Sequence, residues 1–245
     1  MYDLKSQLGI KSYSFRSISD NADVAKAVKY CEADVIDLSA CHVNYDSAEE
    51  QERAIATYRD AGVRIAGIGV VYLKNDESFN RRFFEFARRA GCGVVSCSLP
   101  LEGLESAIRL TERLAEEYDV RAAIHNHGGK DWLGNTGALQ YVLGKTSERI
   151  GLCLDTAWCL QAGEDPIKWL DTFQGRIHAL HFKDFSFNAK GQWQDTIVGE
   201  GALDLGTFLG KFATIGFDGP AVVEFEGENP VEQSKACVKA IRAAL

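Results

Sequence analysis

The chain has 245 residues, and 27 Lys and Arg against 35 Asp and Glu give a formal charge of 27 − 35 = −8. Hydrophobic residues at 46% and charged residues at 25% are ordinary globular values, which excludes a disordered chain or a disulfide mini-scaffold. A net-acidic surface repels phosphate backbones, so nucleic acid is not an expected partner.

Cysteines stand at positions 31, 41, 92, 97, 153, 159 and 237, an odd number with no CxxC pair. The first residues, MYDLKSQLGIKSYSF, show no basic stretch followed by an apolar run. Together these lead to the expectation of a cytoplasmic protein with reduced, mostly buried thiols. No apolar stretch approaches the roughly eighteen residues of a membrane span. Only four prolines occur and no Pro- or Ser-rich linker interrupts the sequence, so a single domain over 1–245 is expected.

In chain order, β-rich runs alternate with amphipathic ones. LGIKSYSF (8–15) precedes a helical pattern near 21–33, and DVIDLSAC (34–41) precedes a polar helix over 47–62. RIAGIGVVYL (64–73) leads to a helix over 77–91 with apolar spacing at Phe79, Phe83, Phe84 and Ala87. GVVSCSLP (93–100) leads to a helix over 103–118, and VRAAIHNH (120–127) to a weaker one near 136–146. IGLCLDTAW (150–158) precedes DPIKWLDTF (165–173), where Asp165 and Pro166 read as N-cap and first helical residue. RIHALHFKDF (176–185) is followed by a long loop and a helix over 203–216. Last come AVVEFEG (221–227) and a helix over 231–245. Parallel strands need helical crossovers, so eight such units predict an α/β fold, a single (β/α)8 TIM barrel. The runner-up, a doubly wound open sheet, lacks a G-x-G-x-x-G after its first strand.

Active sites in such barrels lie at the C-terminal strand ends. Here the fifth strand ends in His125-Asn126-His127, the sixth in Asp155, the seventh in His181-Phe182-Lys183-Asp184 and the eighth in Glu224-Phe225-Glu226. Residues two apart share a strand face, so His125 with His127, His181 with Lys183, and Glu224 with Glu226 point alike. If those faces are interior, one pocket collects imidazoles, carboxylates and an ammonium, a mixed N/O set suited to a divalent ion such as Mn²⁺, Zn²⁺ or Co²⁺. His178 has the opposite parity and should face the helices. Asp37 could line the pocket or pair with a lysine. His42 lies at the rim, where it could touch substrate or be a solvated loop residue. Trp132, Trp158 and Trp193 fall in or near the loops after the fifth, sixth and seventh strands, placed either to wall a sugar ring or to pack under a loop.

The segments AIHNHGG (123–129), GLCLDTAW (151–158), RIHALHFKD (176–184), VGEGALDL (198–205) and GPAVVEFEG (219–227) carry a resemblance to the xylose-isomerase-like TIM-barrel superfamily over nearly the whole chain. That group includes sugar isomerases and epimerases, inosose dehydratases, endonuclease-IV-type enzymes and keto-sugar hydratases or lyases. The resemblance implies one divalent ion, with Asp155, His181 and Glu224 at three ligand positions. The usual glutamate at the end of the fifth strand is missing, which leaves His125 or His127 as the fourth ligand. It also implies a substrate-polarising role for Lys183, and Glu226 extends an E-x-E ending.

The expected function is therefore a metal-dependent enzyme (Mn, Co, Mg or Zn) that abstracts a proton α to the carbonyl of a keto sugar or related polyol, as a sugar isomerase or epimerase. Glu224, His127 and Lys183 are the expected catalytic residues. His125, Asp155, His181 and Glu224 are the expected metal ligands, and His42, Trp132, Trp158 and Glu226 the expected substrate contacts. Alternatives are a dehydratase, hydratase or lyase acting on a 3-keto sugar, 3-keto glycoside or inosose by the same enediolate chemistry, and a non-catalytic sugar-binding or partner subunit. The expected partner is a small sugar or cyclitol, with no nucleic acid or membrane; a homo-oligomer is left open.

Overall fold

The computed structural model describes residues 3–128 and 130–245. A short helix, α1 (Leu4–Gln7), precedes β1 (Leu8–Lys11), and the chain then alternates α2 (Asn21–Tyr30), β2 (Val35–Leu38), α3 (Ala48–Asp60), β3 (Arg64–Tyr72), α4 (Glu77–Ala90) and β4 (Val94–Ser98). The same rhythm continues through α5 (Leu104–Glu117), β5 (Arg121–His125), α6 (Thr136–Leu143) and β6 (Ile150–Asp155). Two helices, α7 (Thr156–Gln161) and α8 (Pro166–Thr172), lead to β7 (Ile177–Phe182) and a hairpin of β8 (Asp184–Phe187) and β9 (Trp193–Thr196). The chain ends with α9 (Leu205–Phe212), β10 (Ala221–Val223) and α10 (Pro230–Ala244). All strands except the hairpin pair close into a parallel barrel, with β10 returning to lie beside β1.

Local chemistry starts the helices where polar residues precede amphipathic runs. Asp20, Ser47, Asp76, Asn135, Asp165 and Asp204 each accept a backbone N–H in the first turn of the following helix. Each such cap is typically worth about 1 kcal/mol. Pro166 opens α8, as expected. Inside the barrel, Val94, Ala123, Cys153 and Ala179 form a layer of small side chains. Two residues further along the same strand faces stand His125, Asp155 and His181. His178, on the opposite parity, is buried with Nε2 2.8 Å from the Glu148 carbonyl, and burial takes its pKa down to about 4.

Three stretches depart from the expected elements, each for a visible reason. The first strand stops at Lys11 and Ser12–Phe15 forms a 3-10 turn, because its hydroxyls are tied to neighbouring strand ends. Ser12 Oγ accepts from Ser39 N, and Ser14 Oγ accepts from Phe225 N. The sixth strand stops at Asp155, which caps α7 instead of continuing to Trp158. The stretch expected as a long loop after β7 contains the β8–β9 hairpin. Its turn is closed by the Asn188 carboxamide, which accepts from Lys190 N and Gln192 N, and by Gly191 at φ +73°.

The segment after the hairpin is shaped by one carboxylate. Asp184 accepts backbone N–H groups from Gly199, Gly201, Ala202 and Leu203, at 2.9–3.0 Å. Gly201 permits this approach, since a Cβ there would lie 2.6 Å from Asp184 Oδ1. The VGEGALDL motif is thus a loop wrapped around a buried anion. Asp184→Ala should leave four donors unpaired and destabilise the fold by about 3 kcal/mol or more. Urea denaturation should show that loss, with faster hydrogen exchange at residues 199–203.

Candidate metal centre and active site

Side chains from neighbouring strands fix the strand ends that carry the polar groups. Asn126 donates to the Asp155 carbonyl at 3.0 Å and accepts from Asp155 N at 2.8 Å, clamping the end of β5 to that of β6. The Thr156 hydroxyl donates to the Lys183 carbonyl at 2.6 Å and accepts from Lys183 N at 3.0 Å, joining β6 to β7. These bonds position the side chains before any ligand arrives.

Within that frame, His125, Asp155, His181 and Glu224 each offer one ligand atom, and all four atoms lie within 4.8 Å of one another. All four residues are buried. Asp155 divides its oxygens: Oδ1 accepts from Trp158 N at 2.8 Å, while Oδ2 has no hydrogen-bond partner. His125 Nε2 stands 3.6 Å from that oxygen and is also unpartnered. His181 Nδ1 lies 3.9 Å from Asp155 Oδ2 and 2.9 Å from Glu224 Oε2, but off the hydrogen-bonding direction, so it too lacks a partner. Buried polar atoms are rarely left so. Three orphaned donor atoms and a second carboxylate converging on one point fit a divalent cation with mixed N/O ligands. The structure brings His125 into this group. His127 lies outside it, stacked on Trp158 with ring centroids 4.2 Å apart.

The electrostatics are tightly coupled. Burial opposes the charge of Lys183, but the carboxylates of Glu224, Asp155, Glu226 and Asp195 outweigh it and hold its pKa above the ordinary lysine value. Burial likewise disfavours the ionised Glu224, yet the Lys183 ammonium and His181 keep its pKa well below the usual carboxylate range. For His181, burial is outweighed by the Cys153 sulfur and Glu224, and its pKa is raised. Burial lowers that of His125.

A second buried pair backs the centre. Lys11 Nζ contacts Asp37 Oδ1 at 2.6 Å and the Gly69 carbonyl at 2.5 Å. Asp37 Oδ2 faces His181 Nε2 across 4.0 Å. Of the two expectations for Asp37, pairing with a lysine is what the structure shows. Sequence reasoning passed over Lys11, although a lysine within an apolar first strand was its signal.

A cavity of about 450 Å³ opens above the centre, lined by Lys11, His125, His127, Trp158, Glu224 and Glu226, among others. Lys183 stands behind that wall, 1% exposed, salt-bridged to Glu226 and 3.8 Å from Asp195. Asp195 comes from the hairpin and was not anticipated, because its segment read as a loop. Trp158 meets Trp193 edge-on at 5.0 Å, and Trp193 stacks on Phe185 at 4.5 Å. His42 and Trp132 are not among the described residues lining this cavity. His42 is buried with Nε2 2.8 Å from the Ile18 carbonyl and borders a separate cavity between α2 and α3. The Trp132 indole donates to the Leu99 carbonyl at 3.1 Å. Both rings are turned away by a backbone bond that the sequence pattern does not reveal.

Removing one partner of a buried ion pair strands the other charge. Lys11→Met should therefore destabilise the protein by roughly 3–5 kcal/mol. Lys11→Met combined with Asp37→Asn should recover much of that loss in chemical denaturation.

The chain is 27% identical over 162 residues to an inosose dehydratase from Lacticaseibacillus casei, a match covering 58% of this chain and 53% of that protein. The matched region thus spans about half the length of that curated relative. A xylose isomerase-like TIM barrel protein from Mycobacterium smegmatis, solved in complex with magnesium, superposes with TM-score 0.81 at 14% identity over 100% of this chain and 98% of that one. A probable 3-DHS dehydratase of petrobactin synthesis from Bacillus anthracis superposes with TM-score 0.75 at 16% identity, covering 96% and 98% of the two chains. A sugar phosphate isomerase/epimerase from Parabacteroides distasonis does so with TM-score 0.76 at 16% identity, covering 98% and 94%. These low-identity matches establish the fold. The family profile described as xylose isomerase-like TIM barrel matches residues 26–244, almost the entire barrel, and the chain belongs to that family.

Proposed function

We propose that this protein is a metal-dependent enzyme acting on a keto sugar or related polyol, which removes a proton α to the carbonyl as a sugar isomerase or epimerase. The observation that carries this reading is the convergence of four buried ligand atoms within 4.8 Å at the C-terminal strand ends, three of them without hydrogen-bond partners. His125, Asp155, His181 and Glu224 would hold the ion. When bound there, a divalent ion would polarise the carbonyl and orient an adjacent hydroxyl.

The remaining chemistry falls to groups around the cavity. His127 borders it and carries an imidazole able to act as a proton acceptor or donor. Glu224 brings a carboxylate from the other side of the barrel mouth. Lys183 places a fixed positive charge behind Glu226, where it favours negative charge developing on substrate oxygen. The buried rings of Trp158 and Phe185 exclude water beside these groups. The base takes the α-proton, and its return to a different carbon or face gives an isomer or epimer.

Dehydration is the second reading, favoured by the similarity to inosose dehydratase over 162 residues. There the imidazolium would return its proton to a departing β-hydroxyl, releasing water. The absence of a glutamate at the end of β5 suits this asymmetric chemistry. A non-catalytic sugar-binding subunit would instead purify without stoichiometric metal.

Asp155→Asn retains an oxygen to cap α7 while removing the anionic ligand. It should weaken Mn²⁺ binding by tenfold or more with little change in melting temperature, as measured by calorimetry. Metal and proton compete for His181, whose pKa is raised. Affinity in the wild type should therefore increase as pH rises. Full activity in chelator-treated protein would overturn the metal reading.

The reaction itself is tested in heavy water with a panel of keto sugars and inososes, each with Mn²⁺, Co²⁺, Mg²⁺ or Zn²⁺. A product of unchanged formula deuterated at the α-carbon indicates isomerisation or epimerisation, and loss of water indicates dehydration. Lys183→Met should slow the exchange about a hundredfold when measured at saturating metal. No α-exchange with any substrate and metal would sink the mechanism.

A further inference from the structure

The cavity extends beyond what the metal centre and a single sugar ring require. Besides the polar floor, its outer wall includes Tyr13 and Tyr72, from the turn after β1 and the end of β3. These rings are 39% and 66% exposed. On the hairpin side Trp193, 43% exposed, stands edge-on to Trp158, another lining residue. Exposed large aromatics are ordinary when scattered, but here they gather around one opening whose floor holds His125 and Glu224. Rings carrying both an apolar face and a polar tip suit a partner ring that is apolar on its faces and polar at its edges.

Charge narrows the class of that ring. Lys11, which lines the cavity, is already paired with Asp37, and Lys183 behind its wall is paired with Glu226. The Arg16 guanidinium lies over the Tyr13 ring at 4.8 Å and donates to the carbonyls of Tyr13 and Glu226. This arrangement offers no unpaired lysine among the described lining residues for a phosphate or carboxylate. An uncharged group is the better fit.

Resting on the sugar-enzyme reading above, we infer that the mouth between Tyr13, Tyr72 and Trp158 is an outer subsite for an uncharged second ring, glycosidically joined to the sugar that reaches the centre. The substrate class is then a keto-glycoside, with its carbonyl on a ring carbon other than the anomeric one, rather than a free monosaccharide. A sugar or an aromatic aglycone could supply the ring, since both present an apolar face to tyrosine.

Calorimetric titration of the Mn²⁺-loaded protein tests this with matched methyl and 4-nitrophenyl glycosides of glucose, galactose and xylose, each oxidised to the 3-keto form, and with cellobiose oxidised likewise on its non-reducing ring. At least one two-ring probe should bind about tenfold or more tighter than its methyl counterpart, the scale of burying a ring face. A 4-nitrophenyl advantage without one for cellobiose assigns the subsite to an aryl aglycone, and the converse assigns it to a sugar. Tyr72→Ala, at an exposed side chain that leaves the core intact, should abolish the advantage without changing methyl glycoside affinity. Equal affinities in the wild type, no binding by any probe, or an advantage that survives both Tyr72→Ala and Tyr13→Ala would each overturn the outer subsite. Such a result leaves the α-proton chemistry standing, because keto-sugar exchange in heavy water is measured independently.

Discussion

Burying several carboxylates in one barrel mouth is the constraint around which this structure is organised. Asp37, Asp155 and Glu224 are all withdrawn from water, and an isolated buried carboxylate is too costly to persist without compensation. Each finds a different answer. Asp37 is neutralised by Lys11, and Glu224 sits in the field of Lys183 and against His181. Asp155 gives one oxygen to a helix cap and leaves the other bare. The barrel supplies rigid strand ends that hold these groups against their mutual repulsion, and the excess negative charge at the centre is what a dication would balance.

The supporting frame is polar as well. Asn126 and Thr156 clamp successive strand ends, while Ser12 and Ser14 tie the first turn to the second and eighth barrel strands. These bonds satisfy backbone groups that leave the regular ladder near the rim. A polar centre built this way is preorganised by the strands rather than by mobile loops, in keeping with its burial.

Much of this was legible from the sequence because two periodicities are strict. Alternation of β and α runs gave the barrel, and the two-residue repeat put His125, Asp155, His181 and Glu224 on inward faces and His178 outward. Parity ends where strands end, so it could not decide the orientation of His42 or Trp132, whose ring nitrogens are turned toward backbone carbonyls. Nor could it separate His125 from His127 as a member of the buried group, since both share one face. Lys11 was hidden by its apolar neighbours, because only a partner on another strand explains a buried lysine. Asp195 was hidden by a hairpin whose turn chemistry, Asn188 with Gly191, lies within a polar stretch.

The double duty of Asp155 restricts how this barrel can vary. Its Oδ1 holds the first turn of α7, and α7 in turn carries Trp158 into the cavity wall. A longer glutamate would move the oxygen away from the Trp158 amide, and a serine would keep the cap while discarding the ligand charge. Centre and aromatic wall are therefore inherited together. A redesign that aims to exchange the carboxylate at this strand end must also rebuild the helix that shapes the pocket beside it.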